Sequence, residues 1–454
     1  MTPRDARQGN LVARAFRQGR FLIGRAQSTR TTDLALSMGL VMGLGFVQNL
    51  VLARFLGPEG LGQVSVVNST LGFGALIAAA GMSTAILRHS AARKDEGEAW
   101  GIYRRGARYA AMGSLLIGLL LAALAWSPLW IFDPVAGYWM PVLAIALLPL
   151  TSSACAVKYL HSRSRIRDRA VLEFGTRLIQ VVTVVVGVVA DGFRGFAFGY
   201  IIGAALGWLL TFARTWQVRP RHPKRSPVSA REFLSFGSWS LLSQILWYAL
   251  HSIDLLFISA LLEDPAATGF YGLAVLLQRT VRLPLMAYLD ATFPRLARQS
   301  GDLVATKRSR LLTRRRLVSV SLITIAAAGG IAPLAVPLVF GAAYRASIPS
   351  LLILLVGQFA WSLGAAAGRS MLATGDVRSN FFAGLLAMLV NIVGNPVLIT
   401  RFGIEGAAIA TVASQLTWSL AVTMICRRTE RKRRAESRQM ETGSFVPQDS
   451  EDEP

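Results

Sequence analysis

Ionisable side chains are scarce inside the apolar stretches of this 454-residue chain and concentrate in its second half, where they join polar residues in two stripes. In the apolar run 233–262, Ser240, Gln244, Trp247, His251 and Asp254 fall within about 80° of one another if successive residues turn by about 100°. In the next run, 265–293, Tyr271, Gln278 and Arg282 lie within about 40°, and Arg279 stands about 100° from Gln278. An ionisable group at membrane depth costs about 2.5–3.5 kcal/mol on insertion scales, so it faces a cavity or a partner. Two cations against the single anion Asp254 suit a wet cationic cavity that takes an anionic ligand. Arg279 and Arg282 would supply its charge, and Gln278, Tyr271, Trp247 and Gln244 its hydrogen bonds and stacking faces. Asp254 and His251 are the groups able to carry a coupling proton. The competing reading is an Asp254–Arg279 or Asp254–Arg282 pair that only locks two helices together. A further binding candidate, Arg177, lies in the run 171–190 and is expected to pair with Glu173 in the favourable i, i+4 order.

These positions have meaning only if the runs cross a membrane. A soluble chain shows about 25% charged and 45–50% apolar residues; here the values are 16% and 53%, with mean hydropathy +0.46. Spans are expected at 34–53, 64–87, 107–127, 138–160, 171–190, 195–213, 233–262, 265–293, 317–340, 347–373, 380–400 and 404–426. Each is close to the roughly 20 residues that cross the hydrocarbon as helix. Continuous apolar runs of this kind form helices, not a barrel.

Charge orients them. All 48 Lys and Arg except Arg54, Arg177, Arg194, Arg279, Arg282, Arg345 and Arg401 fall in every second polar segment: 1–33, 88–109, 158–170, 214–232, 295–316, 369–378 and 427–454. Basic loops stay cytoplasmic. The expectation is a multi-pass protein of the inner (cytoplasmic) membrane with both termini inside, its Arg-rich leader preceding an uncleaved anchor helix. A net charge of +23 would ordinarily suggest nucleic acid. Distribution over alternate loops excludes that partner and points to anionic membrane lipids instead.

The basic, proline-containing segment 214–232 divides the chain. Before it lie the basic segment 1–33 and a six-helix bundle, 34–213; after it come a second bundle, 233–426, and a tail, 427–454, whose charge blocks read as disordered. A shift of 207 residues aligns Ala53 with Ala260, Pro58 with Pro265 and Gly62 with Gly269. The same shift aligns Gly199 with Gly406, Gly203 with Ala410 and Gly207 with Ser414. Each half holds an even number of spans, so the halves point the same way. The fold class is all-α and polytopic: 12 transmembrane helices as two six-helix bundles related by a parallel internal repeat, an arrangement of transporters. The small residues recurring every four positions are helix-packing contacts.

Enzyme chemistry is not expected. None of the five lysines closes a Gly-rich phosphate loop, and there is no HExxH, GxSxG or Cys/His cluster. The expected catalytic residues, metal ligands and cofactors are therefore none.

Several segments resemble a known family. Ala53-Arg54-Phe55-Leu56-Gly57-Pro58-Glu59-Gly60-Leu61-Gly62 is similar to the ARxLGPxxxG turn of polysaccharide transporters. These are the O-antigen and exopolysaccharide repeat-unit flippases of the multidrug/oligosaccharidyl-lipid/polysaccharide exporter superfamily. Ala80-Gly81-Met82 through Arg88, Asp254 through Tyr271, Pro284 with Pro294-Arg295, Phe340-Gly341 with Tyr344, and Phe402 through Ala408 resemble further pieces in the same order. The resemblance implies two bundles around a V-shaped cavity that opens alternately to each side. It implies an isoprenoid (undecaprenyl) diphosphate-linked oligosaccharide as substrate, in lipopolysaccharide or exopolysaccharide biosynthesis, with polymerase and assembly proteins as partners. Arg279 and Arg282 would neutralise the diphosphate. Their first-half equivalents are Gly72 and Ala75, so the charge is one-sided. The alternatives are a cation-coupled multidrug exporter, disfavoured by the basic surplus, and a lipid-linked peptidoglycan-precursor flippase, disfavoured by twelve spans rather than fourteen.

Overall fold

The computed structural model describes residues 29–163, 165–299 and 302–443, so most of the basic segment 1–33 lies outside the described residues. All regular structure among them is helical. In chain order the α-helices are α1 (Thr29–Ala79), α2 (Met82–Ala91), α3 (Glu96–Ala125), α4 (Pro134–Leu143), α5 (Leu147–Ser162), α6 (Ile166–Gln217), α7 (Ala230–Leu262), α8 (Pro265–Arg298), α9 (Leu303–Val339), α10 (Ser347–Ala373) and α11 (Val377–Gly443). Eight helical stretches among the described residues are long and apolar enough to cross a membrane. Hydrocarbon leaves backbone amides no partner but their own helix, and such runs therefore fold this way. The chain is a multi-pass membrane protein. α8 is not among the eight; it carries Arg279 and Arg282 in its middle.

Three long helices are broken where turns between spans are expected. Non-helical backbone occurs at Gly57 in α1, at Asp191–Gly192 in α6 and at Gly403 in α11. The three glycines have φ of 68°, 52° and 58°, a region that costs a residue with a Cβ about 1–2 kcal/mol. Polar starts are capped: Asp95 accepts from the amides of Gly97 (2.7 Å) and Glu98, and Asp302 from those of Val304 (2.8 Å) and Ala305.

By contact the chain forms two compact units. The first takes the described residues to Leu56, then Leu71–Trp130 and Gly137–Leu241. Its core includes Met82, Ile86, Trp100, Tyr159 and Phe233. The expected span 64–87 ends early, at Ala80–Gly81. A Cβ at Gly81 (φ 69°) would overlap the Gly237 carbonyl, so α2 starts afresh against the first turns of α7.

The second unit takes Gly57–Thr70, Ile131–Ala136 and the described residues from Leu242 onward. Its core includes Leu285, Leu317, Trp361, Met371 and Trp418. The tail expected to be disordered over 427–454 is helical through Gly443, and 444–454 lies outside the described residues. One reason is an inward ion pair. Arg310, 8% exposed, holds the Glu430 carboxylate with both terminal nitrogens and also reaches Cys426 Sγ at 2.6 Å. The charge blocks that suggested disorder thus include an acidic group with a buried partner 120 residues away in sequence.

Candidate functional site

The sequence stripes of the second unit separate into two clusters, one around the anion and one around the cations. Asp254 on α7 is 5% exposed. Its Oδ2 accepts from Tyr271 OH (2.9 Å) on α8 and Thr411 Oγ1 (2.5 Å) on α11, and its Oδ1 accepts from Asn395 Nδ2 (2.8 Å), also on α11. The Asn395 amide nitrogen also donates to Asn391 Oδ1 at 2.9 Å. Three neutral donors from two other helices therefore compensate one buried carboxylate, each charge-assisted bond being worth about 1.5–3 kcal/mol. Among the described residues no guanidinium lies within 4 Å of Asp254. This corrects the alternative that Asp254 is ion-paired to Arg279 or Arg282, and the reason is local: Tyr271, Thr411 and Asn395 occupy its oxygens.

The cations gather on His251 instead. His251 Nδ1 lies 2.8 Å from the Trp247 carbonyl oxygen, one helical turn earlier, and that oxygen can only accept. Its Nε2 is 3.1 Å from Arg282 Nη1, which can only donate. Both contacts are satisfied at once by the tautomer with hydrogen on Nδ1 and a bare Nε2. A proton added to Nε2 would face a guanidinium, so His251 carries one only if Arg282 moves.

Arg282 is 5% exposed and is met by neutral groups. Nε donates to Gln358 Oε1 at 2.5 Å, and the guanidinium lies 4.8 Å from the centre of the Trp361 ring. When the Gln415 amide donates to the Gly357 carbonyl (2.6 Å), its oxygen accepts from Arg282 Nη2 at 3.3 Å. Gln278 joins this shell through Gln358 at 3.4 Å. Arg279, by contrast, is exposed; its Nη2 donates to the His251 carbonyl oxygen at 2.5 Å. Among the described residues neither guanidinium has a carboxylate within 4 Å. The arrangement is one buried and one exposed cation, both braced on His251 and, among the described residues, without a carboxylate in ion-pair contact.

Beside them is a cavity of about 340 Å³, within the range of small-ligand sites. Trp247, Trp361 and Trp418 line it, and Arg369, held by Asp290 at 2.6 Å, stands at its edge. Trp361 stacks on Trp418 (6.4 Å, 11°), and Trp247 meets Trp418 edge-on at 6.0 Å. Trp418 Nε1 and Asn380 Oδ1, on two more lining residues, are buried with no hydrogen-bond partner among the described residues. Aromatic faces with an unmet donor and an unmet acceptor suit a ring bearing hydroxyl or amide groups.

Of the residues singled out from sequence, Trp247, His251, Gln278, Arg279 and Arg282 come together here, with Gln244 one turn before Trp247 on α7. Tyr271 is 0% exposed and serves Asp254. Arg177 belongs to the first unit, and its expected partner is a correction. Glu173 binds Arg169 at 2.8 Å, because Arg169 sits on the same face one turn earlier and also reaches His161 (3.2 Å). Arg177 lies instead against Gly45 of α1, its Nη2 3.0 Å from where a Cβ would stand. Sequence reading missed Gln358, Trp361, Gln415 and Trp418. A glutamine inside an apolar run was the available signal; that both glutamines meet Arg282 was not visible.

The fold is that of a polytopic membrane protein and is similar to solved transporters of the MOP superfamily. An inward-facing multidrug resistance transporter of the MATE family, from that superfamily, superposes with TM-score 0.73 at 15% identity, covering 86% of this chain and 95% of its own. The lipid II flippase MurJ in an inward closed conformation also gives 0.73, at 13% identity, covering 87% of each chain. The polysaccharide biosynthesis protein family model matches residues 30–300, and the chain belongs to that family. A curated relative, the probable low-salt glycan biosynthesis flippase Agl15 of Haloferax volcanii, is 25% identical over 382 residues, 82% of this chain and 77% of its own.

Proposed function

We propose that this protein is a flippase that moves an isoprenoid (undecaprenyl) diphosphate-linked oligosaccharide across the cytoplasmic membrane by alternating access, for cell-surface polysaccharide biosynthesis. The proposal includes twelve spans in two six-helix bundles and both termini in the cytoplasm. One observation carries it: Arg279 and Arg282 stand beside a tryptophan-lined cavity, braced by neutral groups, with no carboxylate on either among the described residues. A diphosphate supplies the missing anion, and the tryptophans suit the flat apolar faces of sugar rings. A site for cationic drugs would carry the opposite charge. The glycan-flippase relative and the family match agree with this reading. We assign Asp254 the coupling role, since its oxygens accept from side chains of α8 and α11 that would shift when its charge changes.

The test is flipping of a fluorescent polyprenyl-diphosphate sugar in proteoliposomes, with melting temperature measured on the same preparations. Arg279→Gln and Arg282→Gln are each expected to stay folded and to lose roughly tenfold to hundredfold in rate, as for one lost charge-assisted bond. Lysine at either position restores only part, because it keeps charge but not the planar fork. Undiminished flipping by the Asp254→Asn, Arg279→Gln, Arg282→Gln triple variant would overturn the reading.

A further inference from the structure

The first unit holds a second cluster of arginines that, among the described residues, has no counter-charge. A groove of about 450 Å³ runs between α3 and α6. Arg104 and Arg108, one turn apart and both exposed, line it from α3, and Arg219 lines it from just beyond the end of α6. Its floor is an aromatic ladder on α6. Trp208 meets Phe212 at 5.8 Å, Phe212 stacks on Trp216 at 5.6 Å, and the Arg219 guanidinium lies 4.4 Å from the centre of Trp216. Among the described residues none of these three guanidiniums has an ion pair or hydrogen bond. Their neighbours do: Arg105 donates to the Val228 carbonyl, Arg214 to Asp168 at 2.8 Å, and Lys224 to Asp95. Converging, unpaired arginines amid paired ones imply an anion from outside the chain.

Depth identifies which anion. Trp100 and Arg104 belong to the opening turns of α3, and Trp216 is next to the last residue of α6. These are the ends of membrane-crossing helices, the level of headgroups and of aromatic belts. Below Arg108 the exposed side of α3 continues as Met112, Leu115 and Leu119, and below Phe212 that of α6 continues as Leu209 and Leu206. The groove therefore has a cationic head end and apolar flanks.

We infer that this groove binds the phosphate headgroup of an acidic membrane phospholipid, with Arg104, Arg108 and Arg219 around the phosphate and the acyl chains along α3 and α6. Basic pockets between spanning helices favour such lipids, each arginine contributing in the range of a few-fold to tenfold in affinity. The site lies in the first unit, apart from the cavity beside Arg282, and does not depend on the transport reading.

The experiment is native mass spectrometry of the full chain in a neutral detergent, titrated with diphosphatidylglycerol, phosphatidylglycerol, phosphatidylcholine or a polyprenyl diphosphate. The expected result is saturable retention of the two acidic phospholipids and not of phosphatidylcholine. The Arg104→Gln, Arg108→Gln, Arg219→Gln variant should bind them on the order of 100-fold more weakly. Arg345→Gln, at an exposed arginine of the other unit, should bind them as the parent does. Equal retention of phosphatidylcholine, or unchanged affinity in the triple variant, overturns the inference. So does loss confined to the polyprenyl diphosphate, which would make the groove a substrate station. Should the triple variant not fold, Phe212→Ala with Arg108→Gln provides a milder pair, expected to lose about tenfold; no loss there counts equally against the site. The readout is bound lipid, so its failure leaves transport untouched.

Discussion

Gly62 and Gly269 press against each other's helix at matching points. A Cβ on Gly62 would overlap the Pro265 carbonyl oxygen, and a Cβ on Gly269 would overlap that of Pro58. Pro58 and Pro265, like the two glycines, are 207 residues apart, and both stand just after a break with positive φ, at Gly57 and Glu263. A local two-fold relation between α1 beyond Gly57 and α8 produces such reciprocity, which the proposed parallel repeat would require. Neither approach leaves room for a side chain. Gly62→Leu and Gly269→Leu should each lower the melting temperature of the purified protein strongly, overpacking costing about 1–3 kcal/mol or more. Leucine at Gly39, where nothing lies within 4 Å of a Cβ, should cost little.

The Asp254 cluster predicts a graded series. Removing one donor, by Tyr271→Phe, Thr411→Val or Asn395→Leu, should cost about 1.5–3 kcal/mol, because the carboxylate is buried and has no cation to fall back on. Asp254→Asn removes the charge itself and should be milder in stability than Asn395→Leu. It should also abolish the part of flipping that depends on an imposed ion gradient. Equal stability loss in Asp254→Asn, Arg282→Gln and their double variant would instead mean that the anion and cations act as one unit.

At the surface of the first unit, Lys224 donates to the Asp95 carboxylate, which is thereby held below its ordinary 3.8, and Asp95 in turn raises the Lys224 ammonium above 10.5. A depressed carboxylate contributes stability above its unfolded pKa and loses it as pH falls through the folded one. A raised ammonium contributes below its unfolded pKa and loses it as pH rises through the folded one. The melting-temperature difference between the parent and Asp95→Asn should therefore be level at neutral pH, vanish in acid below 3.8 and shrink in alkali above 10.5. It should be small and fall with salt, as for exposed pairs.

Topology is open to single-cysteine labelling at exposed positions. Cysteines at Glu59, Pro128, Glu263 and Arg345 should react with an impermeant reagent added outside intact cells. Those at Lys94, His222 and Val304 should react only after permeabilisation. Labelling of His222 or Val304 from outside would reject the expected orientation. Asp133 is a poor reporter because it is buried and its carboxylate accepts from the Ala136 amide at 2.7 Å.

Much of the fold is written along the chain. Apolar runs near 20 residues must become helices in hydrocarbon, and Gly57, Gly192 and Gly403 mark breaks where the backbone takes a positive φ. The expected repeat, if it holds, needs a register one helical turn different in one place. Gly195 packs on the Gly187 carbonyl three residues after Gly192, and Gly406 packs on the Leu398 carbonyl three residues after Gly403. Gly406 thus corresponds to Gly195 and not to Gly199; glycines every four residues present the same face in either register, so sequence alone had no means of choosing.

The site divides along the same line. That Asp254, His251, Arg279 and Arg282 share one region followed from helical spacing on two consecutive runs. Which group each one faces did not, because the partners lie far off in sequence: Gln358 on α10, and Asn395, Thr411 and Gln415 on α11. Spacing places a side chain on a face of its own helix, whereas charge compensation depends on what other helices bring to that face. Only tertiary packing decided that neutral donors would hold the carboxylate and that the arginines would be left with charge to spare.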